Sequence, residues 1–510
     1  MKTKRPSLFG FSGTRISVEL ALLLGFLFAT ATPANAHTGS RAFILLLPSE
    51  LYMAAGAVAV AASFLLISII PSKMFAKVEQ IQRRLAVMGA FLDRDRLLLS
   101  CPSLLSLFVC LVLIFAGKWG SRDPLSNPLP LFVWTVWWVG FTYLHLLFGN
   151  LWGYLNPWGG LIHLAARFPG VNRWVKHPPL QYPRRVAYWP AVCVFLVFAW
   201  IELIYPSPAD PSVLANLVSS YLVFNFCGIF LFGERSWLKY AEAFSVFFRV
   251  ISWLSPFMMQ NPNYLRNRCE QEGSRSPNDK KSRIVKITLP GLNLLSVRPR
   301  PLSSVVFILL ILSSVSFDGL SKTFFWMALI GENPLEYPGR TTLMIINTAG
   351  LFGVFTGLTA VYMAVLSAAK KLSGIGGNGA RVFGVFALSV VPIAFGYHFA
   401  HYLPIFLVDI QYALKAVSDP LARGWDLFGA ADIPIITSFL SARSQVVAIW
   451  YTQMTIIVVA HVAGIYIAHA LAVRLAPSNK SAIIGQIPLT TLMVGYTLLG
   501  LWLLSAPAVG

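Results

Sequence analysis

Charge is what this sequence has least of. Charged residues make up 12% of its 510 positions, about half the share a soluble domain carries. So few cannot cover the surface of a water-facing chain of this length, which excludes an ordinary soluble protein. Cysteine is scarce too: Cys101, Cys110, Cys193, Cys227 and Cys269, with no CxxC pair. No disulfide framework is visible in that set. The glycine-rich stretch "LSGIGGNGARVFG" (372–384) has no strand before it and no Lys-Ser/Thr after it, so it reads as a flexible loop and not as a phosphate cradle. No internal repeat is visible, which weakens an inverted-repeat carrier. Acidic residues are outnumbered, 20 against 40 Lys and Arg, and the net charge is +20. That balance suggests nucleic acid, yet no nucleic-acid module is present, and the placement of the basic residues explains it otherwise.

Hydrophobic residues are abundant, at 56%. Apolar runs occupy roughly 50–70, 97–116, 130–149, 187–205, 213–231, 302–327, 341–366, 382–405, 445–470 and 488–505. Several approach the ~20 residues a helix needs to cross a bilayer. The reading is all-α: a polytopic bundle of about ten transmembrane helices. Ahead of it, Lys2, Lys4, Arg5 and Arg15 precede a short apolar run and the stretch "TATPANAHTGSR". This has the form of a secretory signal peptide over 1–36, cut after Ala36 so that the mature chain starts at His37. Residues 37–510 are then a single transmembrane domain, with a mobile cytoplasmic loop at about 259–300.

Starting outside at His37, the loops alternate. Most Lys and Arg then fall inside, at 71–96, 150–186, 232–301, 367–381 and 471–487. The positive-inside rule favours this orientation, in a bacterial inner membrane with the mature N-terminus facing the periplasm. The basicity is therefore topological and suits anionic lipid at the inner face. The amphipathic stretch "RSWLKYAEAFSVFFRVISWL" (235–254) is expected to lie along that inner surface.

Ionisable groups inside a bilayer are costly and tend to mark function. Glu202, Asp318, His398, His401 and His461 come from four different spans, each ~20–30 Å from the inner surface at ~1.5 Å per residue. His398 and His401 share a helix face at i, i+3. "DGL" after Asp318 and Pro404 after His401 are expected to break or bend their helices near the site. Imidazoles with carboxylates suit a divalent metal such as zinc, copper, iron or manganese, with His37 as a further candidate ligand. The same residue types also suit a proton or ion relay. Asp409 and Asp426, in the outer segment with "SDPLARGWDLFGAAD", are candidate catalytic bases. His145, His163, His177 and His469 read as structural, and Asn225 and Asn347 either as supports behind the site's own residues or as bridges between helices.

Several stretches carry a family resemblance. They are "AHTGSRAFILLLPSEL", Asn156-Pro157-Trp158, "WLKYAEAFSVFFRVISWLSPF", "SFDG" at Ser316–Gly319, "HYLP" followed by "SDPLARGWDLFG", and "HVAG" at His461–Gly464. In these the chain resembles bacterial polytopic membrane proteins of the fenitrothion hydrolase type, over nearly its whole length apart from the leader and 261–300. The resemblance implies hydrolysis of an organophosphorus triester, releasing a nitrophenol. No site residue is carried over from it. Joined to the residues above, it gives a metal-assisted hydrolase: the metal activates water, and hydroxide attacks phosphorus. A small apolar substrate would reach the site from the bilayer. A second membrane subunit is allowed for. The rival expectations are a multi-span transporter or ion-coupled carrier, and a copper-handling membrane protein using His37.

Overall fold

The computed structural model describes residues 49–70, 74, 87–92, 100–260, 282–333, 335, 336 and 339–506. The leader 1–36 and His37 lie outside these residues. Nine of the described helices are long and apolar enough to cross a membrane, and a tenth, Trp189–Leu203, is apolar but shorter. In chain order they are α1 (Ser49–Ile69), α2 (Cys101–Trp119), α3 (Pro128–Phe148), α4 (Trp189–Leu203) and α5 (Pro211–Phe232), then α6 (Leu302–Ser321), α7 (Arg340–Ser373), α8 (Gly379–Ser418), α9 (Arg443–Leu475) and α10 (Asn479–Ser505). The protein is an all-α, polytopic helical bundle.

Three short strands complete it: β1 (Val87–Leu92), β2 (Phe257–Gln260) and β3 (Ser282–Ile287), antiparallel in the order β1-β3-β2. Val87 is opposite Lys286, and Phe257 is opposite Ile287. Strands that pair must lie on one side of the membrane. Between β1 and β2 the chain passes through α2, α3, α4 and α5, so the short α4 has to cross for the count to be even. Hydrogen bonds at both ends of α4 agree. The Leu180 N–H ahead of it donates to the Leu231 carbonyl at the end of α5 (2.9 Å). The Tyr188 N–H at its start donates to Ser303 Oγ at the start of α6 (3.1 Å). At its far end the Arg340 guanidinium donates to the Glu202 carbonyl (2.9 Å). The side carrying the strands is called the sheet face below.

Burial is uneven. In both α6 and α8, 89% of the apolar window is inside the protein, against 61% in α9 and 22–33% in the other long spans. The pair α6/α8 is therefore the axis of the bundle. Lipid-facing side chains such as Val58, Leu65 and Ile345 stay exposed on the outer helices. Small residues let α8 and α9 approach closely. A Cβ at Gly464 would come 2.7 Å from the Ser389 carbonyl, and one at Gly396 2.6 Å from the Ala460 side chain.

Three sequence expectations change. Neither "DGL" nor Pro404 breaks its helix: α6 runs through to Ser321 and α8 to Ser418. Proline has no N–H, so Pro404 leaves the Ala400 carbonyl without its intrahelical donor. The Gln453 side-chain amide on α9 donates to that carbonyl at 2.6 Å, which restores the lost bond and lets the helix continue. Second, the stretch 235–254 follows the surface only in its first half, where Arg235 and Lys239 are exposed. It forms the helices Glu234–Tyr240 and Ala243–Ser252. The second is tucked among α3 and α4, with Phe247 and Phe248 fully buried against Trp138, Phe195 and His145. Its N-terminus is capped by buried Glu242, which accepts from the Phe244 N–H (2.9 Å), the Ser245 N–H (2.6 Å) and the Trp152 indole (3.1 Å). Third, the stretch 259–300 is not all loop. Residues 261–281 lie outside the described ones, but β3 and the turn Leu292–Ser296 follow, with Leu292, Leu294 and Leu295 buried.

Candidate functional site

The centre of the site is Asp318, near the C-terminal end of α6. Its side chain is 4% exposed, and each oxygen has a cationic or ionisable partner. Lys322 Nζ lies 2.7 Å from Oδ1, one helical turn on. His401 Nε2 of α8 lies 2.7 Å from Oδ2. An ionised carboxylate only accepts, so Nε2 carries the proton and Nδ1 keeps the lone pair when the ring is neutral. Exposure rises along the set, from Asp318 to His401 (22%) and Lys322 (49%). The cluster therefore opens toward the face opposite the sheet.

A second acid joins from α4. The Tyr402 hydroxyl donates to Glu202 Oε1 at 2.8 Å, and Glu202 lies within electrostatic reach of Asp318 and Lys322. Tyr402 follows His401 directly, so one turn of α8 serves both carboxyls. On that turn His398 is 1% exposed and neither ring nitrogen has a hydrogen-bond partner. Its ring meets Trp138 edge-on (centroids 4.8 Å, 90°) and Tyr402 at 4.8 Å. The Trp138 indole N–H is also buried and unpartnered. Trp138 sits in the π-helical stretch Leu131–Gly140 of α3, a geometry often found at functional sites.

Polar groups continue toward the sheet face between α6, α8, α9 and α10. Ser316 Oγ is 2.5 Å from the Tyr496 hydroxyl, and Tyr397 donates to the Tyr496 carbonyl. The Tyr397 and His461 rings are 6.0 Å apart. His461 is fully buried, with Nδ1 on the Ile457 carbonyl (2.9 Å) and Nε2 unpartnered. Two helical turns further along α9, His469 Nδ1 meets the Gln486 side-chain amide at 3.0–3.2 Å. His469, read as structural from the sequence, thus belongs to this polar column.

The structure brings together Asp318, His401 and Glu202, with His398 one turn away, and sets His461 deeper in the bundle. It does not gather them as a ligand sphere: among the described residues no three His, Cys, Asp or Glu converge to hold a metal ion. The chemistry agrees, because the Lys322 ammonium occupies the carboxylate a second cation would need. Asp409 lies two turns beyond His401 on α8, ~12 Å along the axis, and is half-buried. Asp426 is exposed and engaged within its own loop, accepting from Ser418 Oγ (2.8 Å), the Ala430 N–H (2.7 Å) and the Ala431 N–H (3.0 Å). The Ser418 hydroxyl and these N–H groups hold its carboxyl below the ordinary aspartate value. Its contacts are those of a turn cap, not of a base aimed at the cluster.

Asn225 and Asn347 do bridge: each accepts from a tryptophan indole, Trp237 (2.8 Å) and Trp326 (2.9 Å). His145 is structural, bonded to the Phe141 carbonyl and to the Trp152 N–H. Sequence reasoning missed Lys322, Tyr402, Trp138 and Gln453. The i, i+4 spacing of Asp318 and Lys322 is a legible signal for the first. Family models, curated proteins and solved structures give no match to this chain.

Proposed function

We propose that this protein moves protons within the membrane and couples that movement to transport of a solute. The observation that carries this reading is the Lys322–Asp318–His401 chain, continued by Glu202 and Tyr402. Such linked acids and bases, drawn from α4, α6 and α8, pass protons without leaving an unpaired charge in the bundle. The polar groups on α9 and α10 extend the column toward the sheet face. In this reading Asp318 is the proton-binding carboxyl, and Lys322 competes with the proton for it. His401 and His398 are the groups that receive or release the proton.

A second reading is a hydrolase of apolar organophosphorus triesters, as the family resemblance implies. It is favoured by one specific contact. Asp318 fixes His401 by Nε2, which leaves Nδ1 as the base that would take a proton from water. Lys322 would then stabilise negative charge on the phosphoryl group. No metal enters either reading.

Reconstituted vesicles enclosing a pH-sensitive dye separate the two. Transport predicts a proton flux driven by an imposed pH step, lost in Asp318→Asn and His401→Ala. A flux equal in wild type and both variants would sink the carrier. Turnover of a nitrophenyl phosphotriester that needs both residues, with no flux, would establish the hydrolase in its place.

A further inference from the structure

On the far side of α4 from the acid–base cluster lies a cavity of about 740 Å³. Helices α2, α3, α4 and α5 form its walls, with Trp152, Leu155, Trp158 and Phe244 contributing from the connecting segments. Helix α4 divides the two sites. Phe195, Ala199 and Glu202 face the core side, and Val194, Val197, Phe198 and Ile201 face the cavity. The lining is almost wholly hydrocarbon, with Ser106, Ser220, Tyr221 and the cysteines Cys110 and Cys193 among the few residues that carry a polar or thiol group.

We infer that this cavity holds one hydrocarbon chain of a membrane phospholipid, lying parallel to the helices. Three observations carry the assignment. The first is length. The lining runs along α5 from Leu214 to Phe224, ~15 Å at helical rise, which matches one leaflet's hydrocarbon layer, ~15 Å as half of a ~30 Å core. The second is shape. One end is closed by Leu113, Leu129 and Leu214, packed together at 7%, 1% and 3% exposure. Toward the sheet face no such plug follows, and the lining there and along α4 is open: Leu105 is 62% exposed, Val197 57% and Phe224 45%. A chain lying in this groove therefore sets its tip against the leucines and leaves its headgroup at the sheet-face end. The third is chemistry. Water in this shaft would find almost no hydrogen-bond partner, whereas hydrocarbon restores the contacts that an unfilled space forgoes.

The test uses the full-length protein in vesicles containing a small fraction of phosphatidylcholine with a diazirine on one acyl chain. With the diazirine near the chain terminus, crosslinks should concentrate at the closed end, on Leu129 and Leu214. With it near the carbonyl they should move to Leu105 and Phe224. Native mass spectrometry of the detergent-purified protein should show one retained phospholipid. Filling the shaft with Val197→Trp and Val218→Trp should cut the closed-end crosslinks at least tenfold, and leave those on lipid-facing Ile345 unchanged. The assignment is overturned by crosslinks that ignore diazirine depth, by labelling of the lining no stronger than at Ile345, or by an apolar small molecule retained in place of the lipid. The depth pattern in the unmutated protein decides the matter even where the filled variant does not fold.

Discussion

The two halves of the bundle handle their interiors in opposite ways. Around α6, α8 and α9 the interior is packed and holds polar groups, most of them partnered across helices: Asp318 with His401, Glu202 with Tyr402, the Ala400 carbonyl with Gln453. Around α2–α5 partnered polar groups such as Glu242, Asn225 and His145 occur too, but they stand beside a large cavity whose walls are apolar. Polar side chains in a bilayer demand fixed partners, so they enforce close packing and a defined register. Apolar walls make no such demand, and can leave room that lipid fills. One chain thus holds a rigid column suited to proton chemistry and a softer compartment suited to hydrocarbon. Helix α4 separates them.

The largest effect should come from breaking the column at its centre. Asp318→Ala leaves His401 and Lys322 without their shared carboxylate, and should lower stability by about 3 kcal/mol, the lower bound for a broken buried pair because Lys322 is half-exposed. Thermal unfolding in detergent checks this, and a loss below about 1 kcal/mol counts against a paired Asp318. Next is Gln453→Leu, which orphans the Ala400 carbonyl beside Pro404 at a cost of about 2 kcal/mol. Hydrogen exchange should then rise on the α8 amides near residue 400, and unaltered protection there would show that Gln453 does not brace the helix.

His398→Leu sharpens the contrast from the other direction. Its nitrogens have no partner, so an apolar side chain should raise stability by about 1 kcal/mol. Proton flux should nevertheless be lost. A variant both more stable and fully active would make His398 a packing residue. In the apolar half, Val197→Trp should change stability by less than about 1 kcal/mol, since it fills existing space. A much larger loss would make that wall as rigid as the column.

The smallest effect concerns the loop after α8. Asp426 has a depressed value in the folded state, so its carboxylate supports the loop fully above the ordinary aspartate range. That support is lost as pH falls through the depressed value. Exchange at the Ala430 and Ala431 amides should therefore accelerate only under distinctly acid conditions, and Asp426→Asn should abolish the pH dependence. Acceleration already near neutral pH would exclude this cap.

The spans were legible because hydropathy and length report membrane crossing directly. Even α4 was visible at 187–205, since its flanks and apolar run are clear despite Glu202. The grouping of Asp318, His401 and Glu202 at one level followed from counting residues along each helix. What the sequence could not provide was lateral position. Equal depth does not say which groups touch, and Lys322 joins the set only once its distance to Asp318 is known. The extent of α8 was underestimated because Pro404 reads locally as a stop. Its rescue by Gln453 comes from another helix. The segment 243–252 was misplaced for a related reason: a helix with one strongly apolar face looks the same whether that face meets lipid or protein.

The small sheet has a consequence for how the protein is made. Strand β1 is synthesised early, and its partner β3 follows almost two hundred residues later, after α5. Of the segments between them, α4 is the weakest candidate for membrane insertion, with 15 residues and an internal glutamate. If α4 failed to insert, β1 and β3 would be left on opposite sides of the membrane and could not pair. The sheet can close only on chains whose fourth span has gone in, so three paired strands tie the fate of the shortest span to a contact made outside the bilayer.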